Sequence, residues 1–591
     1  MRAQTVEAVP IAVTDPYVPP RAYRWLRARL AQPRAVFGVT VLAFVMSLPA
    51  VATGLVTDDY MFESAVARDP TGVFVFRSLD PEQRRASIHA DRAAGTTPWW
   101  IDENFQQAFL RPLSSLSHAL DYRLWPRAVW LMHVENSLWF AAIVWLAGAI
   151  FRQLAFTPAA LGFGAFFYAT RGNCATSVAW LAARNTLLAS CFGLLAIFLQ
   201  LRARGHLGLR LAAACSLALG LASAEFAAGA LGFLVADALI LQHGTPARRL
   251  RSLWPYALVI GIWLAVYVRG GYGVVGSGFY RNPASAPGAI LLGLLTNVPI
   301  YFATQFTWPF ATFSCFFPGA LAIVTGLSVV ILYLLRGMFW PLLRSDARAR
   351  FLALGAALST VPLAATPAQD RLVFMVALGC AGFLALLLTQ RLDAPDGPRP
   401  AHLLRIHAVY LPMLFVPMLF STASANAVGG GTEALADALP RQAHALVVLN
   451  TPSELQAYFQ PAIRQHRGLP SLPPVDVLYA GTQPVKVRRS SDRALDLEVE
   501  NGYFAATLER IVRDPAQTPF HAGDTIDLAR MRVRVLKVNP SGAPTLVRFE
   551  FPDALEHLDI DWLVWRDRTP QPWQPPPIGA QLSLEALRAF P

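Results

Sequence analysis

Charged residues are scarce in this chain: they make up 15% of its 591 residues, whereas 54% are hydrophobic. Soluble domains carry about 25% charged residues, so this shortage excludes a chain that is water-soluble throughout. The mean hydropathy is +0.40, and several apolar runs reach the roughly 20 residues that a helix needs to cross a bilayer core. The composition therefore predicts an α-helical polytopic membrane protein.

Lysine is nearly absent as well, since Lys486 and Lys537 are the only two, and the formal net charge of +12 is carried by arginine. The arginines cluster in short loops between apolar runs, as the positive-inside rule requires of cytoplasmic loops. This distribution argues against a nucleic-acid partner, and we expect none.

The cysteines indicate no catalytic or metal-binding function. The five cysteines lie in the apolar two-thirds of the chain, and the sequence shows no CxxC or Cys/His metal spacing. Because buried cysteine commonly behaves as a small hydrophobic residue, we assign these residues neither a disulfide nor a metal.

The arginines also orient the chain in the membrane. Residues 1–35 end in an arginine-rich stretch and are predicted to be cytoplasmic, and the first span, 36–56, has no small-residue cleavage pattern and should remain as an anchor. The stretch 288–315, with Pro299 and Pro309, is predicted to lie along the interface or to re-enter without crossing. That choice keeps every arginine-rich loop cytoplasmic. The other ten spans are predicted near 129–150, 155–170, 178–201, 209–223, 226–242, 253–268, 317–336, 351–366, 372–389 and 405–421.

With about eleven spans, the chain divides into three predicted parts. They are a cytoplasmic segment, 1–35, a transmembrane catalytic domain, 36–424, with a large outer loop, 57–128, and a C-terminal domain, 425–591. The last part begins near the linker-like AVGGGTEAL and contains short, often alternating apolar runs separated by Pro, Gly, Asn and Asp, which is typical of strands. We expect a β-rich periplasmic domain, most simply a sandwich, on a protein of the bacterial inner membrane.

Asp58 and Asp59 are the most informative polar residues, because an acid pair at the exit of the first span is costly in lipid and favourable in a water-filled cleft. Further polar residues are predicted on the same outer side. They are Arg111, Asp121, His133, Asn136, Arg184, Glu225, Arg281 and Arg371. Together they predict a site at the outer face.

Each residue also has an ordinary structural explanation. Asp58 and Asp59 could cap or solvate a helix end, and His133 with Asn136, three residues apart on one helix face, could bond between helices. Arginines at helix ends such as Arg281 and Arg371 often extend towards water. Glu135 is predicted to point elsewhere, and the alternative for Arg184 and Glu225 is that they pair with one another inside the bundle.

The order of these motifs resembles the GT-C glycosyltransferase superfamily, whose members use polyprenyl-phosphate-linked sugars, and especially the transmembrane and tetratricopeptide-repeat branch of protein O-mannosyltransferases. The similarity covers roughly 36–390. The matching motifs are Asp58–Asp59–Tyr60, Arg111–Pro112–Leu113, Leu120–Asp121–Tyr122, Leu124–Trp125, His133 with Asn136, Val178–Ala179–Trp180 with Arg184, Ser223 with Glu225, and Asp370–Arg371. Two features depart from the branch: RGNCATS replaces its His-Pro and Glu, and the tail has no tetratricopeptide repeat.

The resemblance implies an inverting transfer of a sugar from a polyprenyl-phosphate donor to an acceptor hydroxyl of a protein, glycan or lipid. Asp58 or Asp59 would be the general base, and Arg371, with Arg281 as the weaker alternative, would hold the phosphate. Arg111, Asp121, His133 and Arg184 would shape the sugar pocket or hold the loops. No cofactor is expected with a monophosphate donor, although a carboxylate pair could hold a divalent metal as in relatives with pyrophosphate-linked donors.

Two other functions stay open from the sequence. A transporter or envelope scaffold with a periplasmic binding domain would show inverted repeats and broken midplane helices, whereas the acids here cluster at one face. An O-antigen ligase or polymerase would carry its large loop late in the chain, whereas here the large loop directly follows the first span.

Overall fold

A computed structural model describes residues 21–68, 78–203, 206–315, 319–393, 401–421, 445–454, 458–471, 473–566 and 569–587. The predicted linker AVGGGTEAL lies outside the described residues. The helices are α1 Arg21–Leu30, α2 Ala35–Ser47, α3 Asp59–Arg68, α4 Pro81–Ala94, α5 Pro112–Leu124, α6 Val129–Gln153, α7 Pro158–Ala169, α8 Gly172–Ala179, α9 Arg184–Ala203, α10 Leu207–Leu221, α11 Ala230–Ala236, α12 Pro246–Arg251, α13 Trp254–Arg269, α14 Pro287–Phe306, α15 Ala320–Ser345, α16 Ala347–Ser359, α17 Phe374–Asp393, α18 Ala401–Arg405, α19 Leu411–Leu419 and α20 Gln460–His466.

Seven helical segments among the described residues are long and apolar enough to cross a bilayer. They are Ala35–Ala52, Val129–Gln153, Leu181–Ala203, Pro287–Phe306, Ala320–Ser345, Phe374–Arg391 and His402–Leu419. Three shorter apolar helices, α7, α10 and α13, lie among them. The chain is an integral membrane protein with several spans, which confirms the predicted helical class.

The stretch that was predicted not to cross the membrane contains a long apolar helix. Residues 287–306 form a single helix of 20 residues, α14, which is apolar enough to cross the membrane. Pro299 lies inside this helix without ending it, although Pro299 and Pro309 favoured a segment that does not cross the membrane. Proline in a membrane helix is tolerated where neighbouring groups replace the lost backbone bond.

Small residues let the membrane helices approach closely. A Cβ added to Gly162 of α7 would clash with the Leu30 carbonyl oxygen, and one added to Gly379 of α17 would clash with that of Leu352. Large side chains point outwards instead, as Leu334 of α15 does with 70% of its surface exposed. This division is expected of a bundle whose rim faces lipid, since lipid offers no hydrophobic penalty to Leu.

Two short strands outside the bundle helices, β1 Gln106–Ala108 and β2 Gly273–Val275, pair antiparallel. The described residues of the C-terminal part form two further sheets. The strands of these two sheets are β3 Leu446–Thr451, β4 Val475–Ala480, β5 Val485–Ser491, β6 Ala494–Val499, β7 Thr525–Asp527, β8 Arg532–Val538, β9 Pro544–Glu550, β10 Asp561–Arg566, β11 Thr569–Pro572 and β12 Gln581–Leu584. A four-stranded sheet has the order β11-β10-β3-β4, and a six-stranded sheet has the order β12-β5-β6-β9-β8-β7. Buried side chains of both sheets share one core, so the β-rich prediction is confirmed.

The four-stranded sheet includes parallel strand pairs. The alternation of apolar and polar residues along the sequence does not predict whether strands pair parallel or antiparallel. β3 pairs parallel to β4 and to β10, and every residue of β3 and β4 is buried. Continuous burial is usual for parallel strands, which need a crossover between them. Helix α20 lies in the connection from β3 to β4 and contacts α3.

The outer loop contributes two tryptophans to this C-terminal core, although the predicted domains treat the two segments separately. Trp99 and Trp100 are 2% and 1% exposed, and the indole N–H of Trp99 donates to the Leu478 carbonyl oxygen at 3.1 Å. The indole N–H of Trp100 donates to Glu454 at 3.4 Å. Burial raises the pKa of this Glu454 carboxyl to about 8.

We expect the substitution Trp99→Ala to destabilise the C-terminal domain by about 3–5 kcal/mol, because removing a buried aromatic ring leaves a cavity. The measurement is the protease resistance of residues 445–587 in the purified full-length protein as the denaturant concentration rises. The matched control is Trp130→Ala, at a residue 55% exposed, which should leave that resistance unchanged. Equal resistance of both variants would contradict the shared core.

Candidate active site

The helical backbone is interrupted at Trp180, between α8 and α9, at the end of the bundle that carries Asp58 and Asp59. Helix α8 ends at Ala179, Trp180 is extended with φ −96° and ψ 113°, and α9 begins at Arg184. Backbone groups at such a break have no partner within a helix and must find others. The Val178 carbonyl oxygen accepts from the Asn136 amide at 3.0 Å.

Asp59 accepts a hydrogen bond from a backbone N–H group of this break. One carboxylate oxygen accepts the backbone N–H of Ala182 at 2.6 Å, and the other accepts that of Val56 at 2.9 Å. The residue is 1% exposed, and burial, reinforced by the charge of Asp58, raises its pKa well above 3.8. Asp59 therefore joins the end of the first span to the break, and its carboxylate does not cap the helix that follows it.

Asp58 is the more accessible of the two acids. Its Oδ1 accepts the Trp180 indole N–H at 2.9 Å and the Thr57 hydroxyl at 3.0 Å, while the side chain is partly exposed. Thr57 has a φ of 50°, a left-handed conformation that is uncommon for a branched residue. Burial raises the pKa of Asp58 above 3.8, and the charge of Arg371 partly opposes that rise.

Arg371 lies on the other side of the same indole. Its guanidinium carbon is 4.9 Å from the centroid of the Trp180 ring, and its Nε donates to the Gln369 side chain at 2.6 Å. The Ser177 hydroxyl donates to the Arg371 carbonyl oxygen at 3.0 Å. One tryptophan thus holds a carboxylate with its N–H group and a guanidinium with its ring.

Arg184 is completely buried and lies among protein groups. It pairs with Asp121, lies 3.3 Å from Glu135, and donates from Nε to Asn136 at 2.7 Å. The expectation that Glu135 points away from this cluster was wrong. His133 lies about one turn before Asn136 on α6, and its ring contacts the Gly54 carbonyl oxygen at 3.0 Å. Together with the contacts of Arg184, this contact joins α5, α6 and α9 to the loop after the first span.

Arg111 and Glu225 form a second ion pair. The Arg111 NH2 group lies 2.7 Å from the Glu225 carboxylate, and its guanidinium carbon lies 4.1 Å from the Phe109 ring centroid. The alternative pairing of Arg184 with Glu225 is therefore wrong. Among the residues that the structure describes, the second oxygen of Glu225 has no hydrogen-bond partner although it is buried.

Asp370 and Arg281 hold backbone. The Asp370 carboxylate accepts from the Asn173 amide at 2.7 Å and from the hydroxyl and N–H of Thr312 at 3.0 Å each. Arg281 donates to the Ala364 carbonyl oxygen at 3.1 Å. The two residues of the acid-Arg motif therefore differ: Asp370 binds loop groups, and Arg371 contacts the same indole as Asp58.

Sequence reasoning missed the contribution of α20. His466 lies 2.7 Å from Glu63, Ser64 donates to Gln465 at 3.0 Å, and Ile463 packs in one cluster with the residues around Asp58 and Asp59. These contacts seat a helix of the C-terminal domain on α3. No local pattern indicates this contact, because about 400 residues separate the partners, as in the 403-residue separation of His466 and Glu63.

The carboxylate pair does not fit a metal ion held between both acids, since both Asp59 oxygens accept backbone N–H groups. Within the described part of the chain, no group of three or more His, Cys, Asp or Glu side chains is arranged to hold a metal.

Comparison with known proteins finds similarity among solved structures. No family model matches the sequence, and no curated protein does. The structure is similar to the crystal structure of ArnT from Cupriavidus metallidurans bound to undecaprenyl phosphate, with 13% identity, a TM-score of 0.36, and coverage of 72% of this chain and 84% of that one. At this level the likeness assigns neither a function nor a residue to this chain, and the narrower resemblance to protein O-mannosyltransferases stays a prediction.

We expect Arg184→Met to destabilise the protein by about 3–5 kcal/mol, because it leaves Asp121 and Glu135 partly buried without their cation. The measurement is thermal unfolding in detergent, with Arg123→Met on the exposed side of α5 as the control. An unfolding temperature equal to that of the control would show that this cluster does not hold the outer end together.

Proposed function

We propose that the protein is an inverting membrane glycosyltransferase that moves a sugar from a polyprenyl-phosphate donor to an acceptor hydroxyl at the outer face. The proposal places the N-terminus in the cytoplasm and the C-terminal domain in the periplasm of a bacterial inner membrane. The observation that carries it is the pairing of Asp58 and Arg371 through Trp180. A base and a phosphate-binding cation are the two groups that such a transfer needs.

Asp58 is the proposed base. Its Oδ1 is occupied by two donors, Trp180 and Thr57, which orient the carboxylate and favour its charged form. The acceptor hydroxyl gives its proton to this carboxylate as its oxygen bonds to the anomeric carbon. The bond from that carbon to the phosphate oxygen breaks, and its electron pair leaves with the phosphate.

Arg371 is the proposed phosphate ligand. The leaving phosphate gains negative charge, and a guanidinium stabilises it through two parallel charge-assisted hydrogen bonds. Stacking on Trp180 fixes the plane of that guanidinium before the donor binds. Arg281, whose guanidinium already donates to the Ala364 carbonyl, is the weaker candidate.

The remaining residues divide between sugar contact and positioning. The second oxygen of Glu225, buried without a partner among the described residues, is suited to accept a sugar hydroxyl, with Arg111 holding its carboxylate. Asp121, His133, Asn136 and Arg184 make their described contacts inside the protein, and we assign them positioning roles. No cofactor is needed for the step as written.

We expect Asp58→Asn to lower the rate of sugar transfer by about 10²–10⁴-fold, the usual contribution of a general base, with little change in stability. Asp59→Asn places an amide NH₂ group against a backbone N–H and should cost about 1–3 kcal/mol of stability. The two variants are compared for transfer to acceptor and for thermal unfolding in the same detergent. Full transfer by Asp58→Asn would remove the proposed base.

We expect Arg371→Gln to raise the KM for a polyprenyl-phosphate sugar by at least about 10-fold, as loss of one charge-assisted contact costs roughly 1.5–3 kcal/mol. The matched control is Arg281→Gln, which should change KM less. The measurement is the initial rate against donor concentration at saturating acceptor. If Arg281→Gln has the larger effect on KM, the phosphate assignment passes to Arg281.

A further inference from the structure

A groove of about 410 Å³ lies at the opposite end of the bundle from Asp58. It is formed where α2 begins and where α6 and α9 end. It is lined by ten residues, among them Arg34, Phe37, Trp145, Arg152 and Arg202. Three of the ten are arginines, and most of the others are apolar.

The same three helices carry the candidate site at their other ends. Asp58 follows the first span, His133 lies in the first turns of α6, and Arg184 begins α9. Helix α9 has 20 residues, which corresponds to roughly 30 Å and to the thickness of a bilayer core. The groove therefore lies near the opposite membrane surface, which the arginine distribution makes cytoplasmic.

The arginines of the groove concentrate positive charge. Arg34, Arg152 and Arg202 are exposed, and the structure describes no ion pair of any of them with a carboxylate of the residues it covers. Arg152 and Arg202 lie in the last turns of their helices, where a cation complements the helix dipole. Arg34 lies instead at the N-cap of α2, so the dipole does not account for all three.

The walls supply an apolar surface beside that charge. Phe37 is 64% and Trp145 51% exposed, and Trp is enriched at the level of lipid headgroups. A ligand that matches the groove combines an anionic phosphate with a hydrocarbon chain. Basic pockets between membrane helices on the cytoplasmic side are known to take such headgroups.

We propose that this groove binds the phosphate of an anionic phospholipid of the cytoplasmic leaflet. Arg34, Arg152 and Arg202 hold the phosphate, and an acyl chain lies along Phe37 and Trp145. The proposal does not depend on the glycosyltransferase activity, because the two sites lie at opposite ends of the bundle.

The test is native mass spectrometry of the purified full-length protein, titrated with phosphatidylglycerol and, separately, with zwitterionic phosphatidylcholine. We expect tighter retention of phosphatidylglycerol, and its affinity should fall on the order of 100-fold in the triple variant R34Q/R152Q/R202Q, as expected for three lost cation contacts. The matched control R248Q/R251Q/R405Q removes three other exposed arginines and should retain the lipid. Thermal unfolding in detergent confirms that both triple variants are folded, and Arg202→Gln alone replaces the first if it is not.

Three results would overturn the proposal. Unchanged retention in R34Q/R152Q/R202Q would exclude the groove, and an equal loss in the control variant would show attraction to a basic face in general. Binding of inorganic phosphate as tight as that of the lipid would show a free-anion site in place of a lipid site.

Discussion

The end of the helical bundle that carries Asp58 and Asp59 depends on one buried cation. Arg184 has no exposed surface, and the charge of its guanidinium must be met by groups brought to it. Asp121 from α5 and Glu135 with Asn136 from α6 supply those groups. Because all of them must converge on the first residue of α9, the helices cannot slide or rotate independently. The break that precedes Arg184 is thereby held in place, and it is this break that presents Trp180 to Asp58 and Arg371.

The two adjacent acids have different roles because their surroundings differ. Asp59 is enclosed and meets two backbone N–H groups, so it secures the loop. Asp58, one residue earlier, is partly exposed. The same division recurs at 370–371, where the buried acid binds loop groups and the partly exposed arginine lies over Trp180. In both pairs, one residue is enclosed by its hydrogen-bond partners and its neighbour keeps part of its surface exposed.

The fold class could be predicted, since apolar length acts locally along the sequence. Of the candidate site, the structure brings Asp58 and Arg371 to the same tryptophan. The pairings could not be predicted. Arg184 and Glu225 each have a different partner from the one considered, because helical periodicity does not say which helices are neighbours. In the stretch 288–315, Pro299 lies inside a helix that continues past it, so proline alone did not locate a helix end there. The seating of α20 on α3 joins segments about 400 residues apart, beyond any local signal.

The shared core of the outer loop and the C-terminal sheets also has a consequence for synthesis. The Trp99 indole bonds to a carbonyl 379 residues later in the chain. At about 5–20 residues per second, a ribosome needs roughly 20 to 75 s to make that interval. During this time Trp99 and Trp100 have been made without the strands that will enclose them. The two indoles therefore remain uncovered by their own core until the last quarter of the chain has been synthesised.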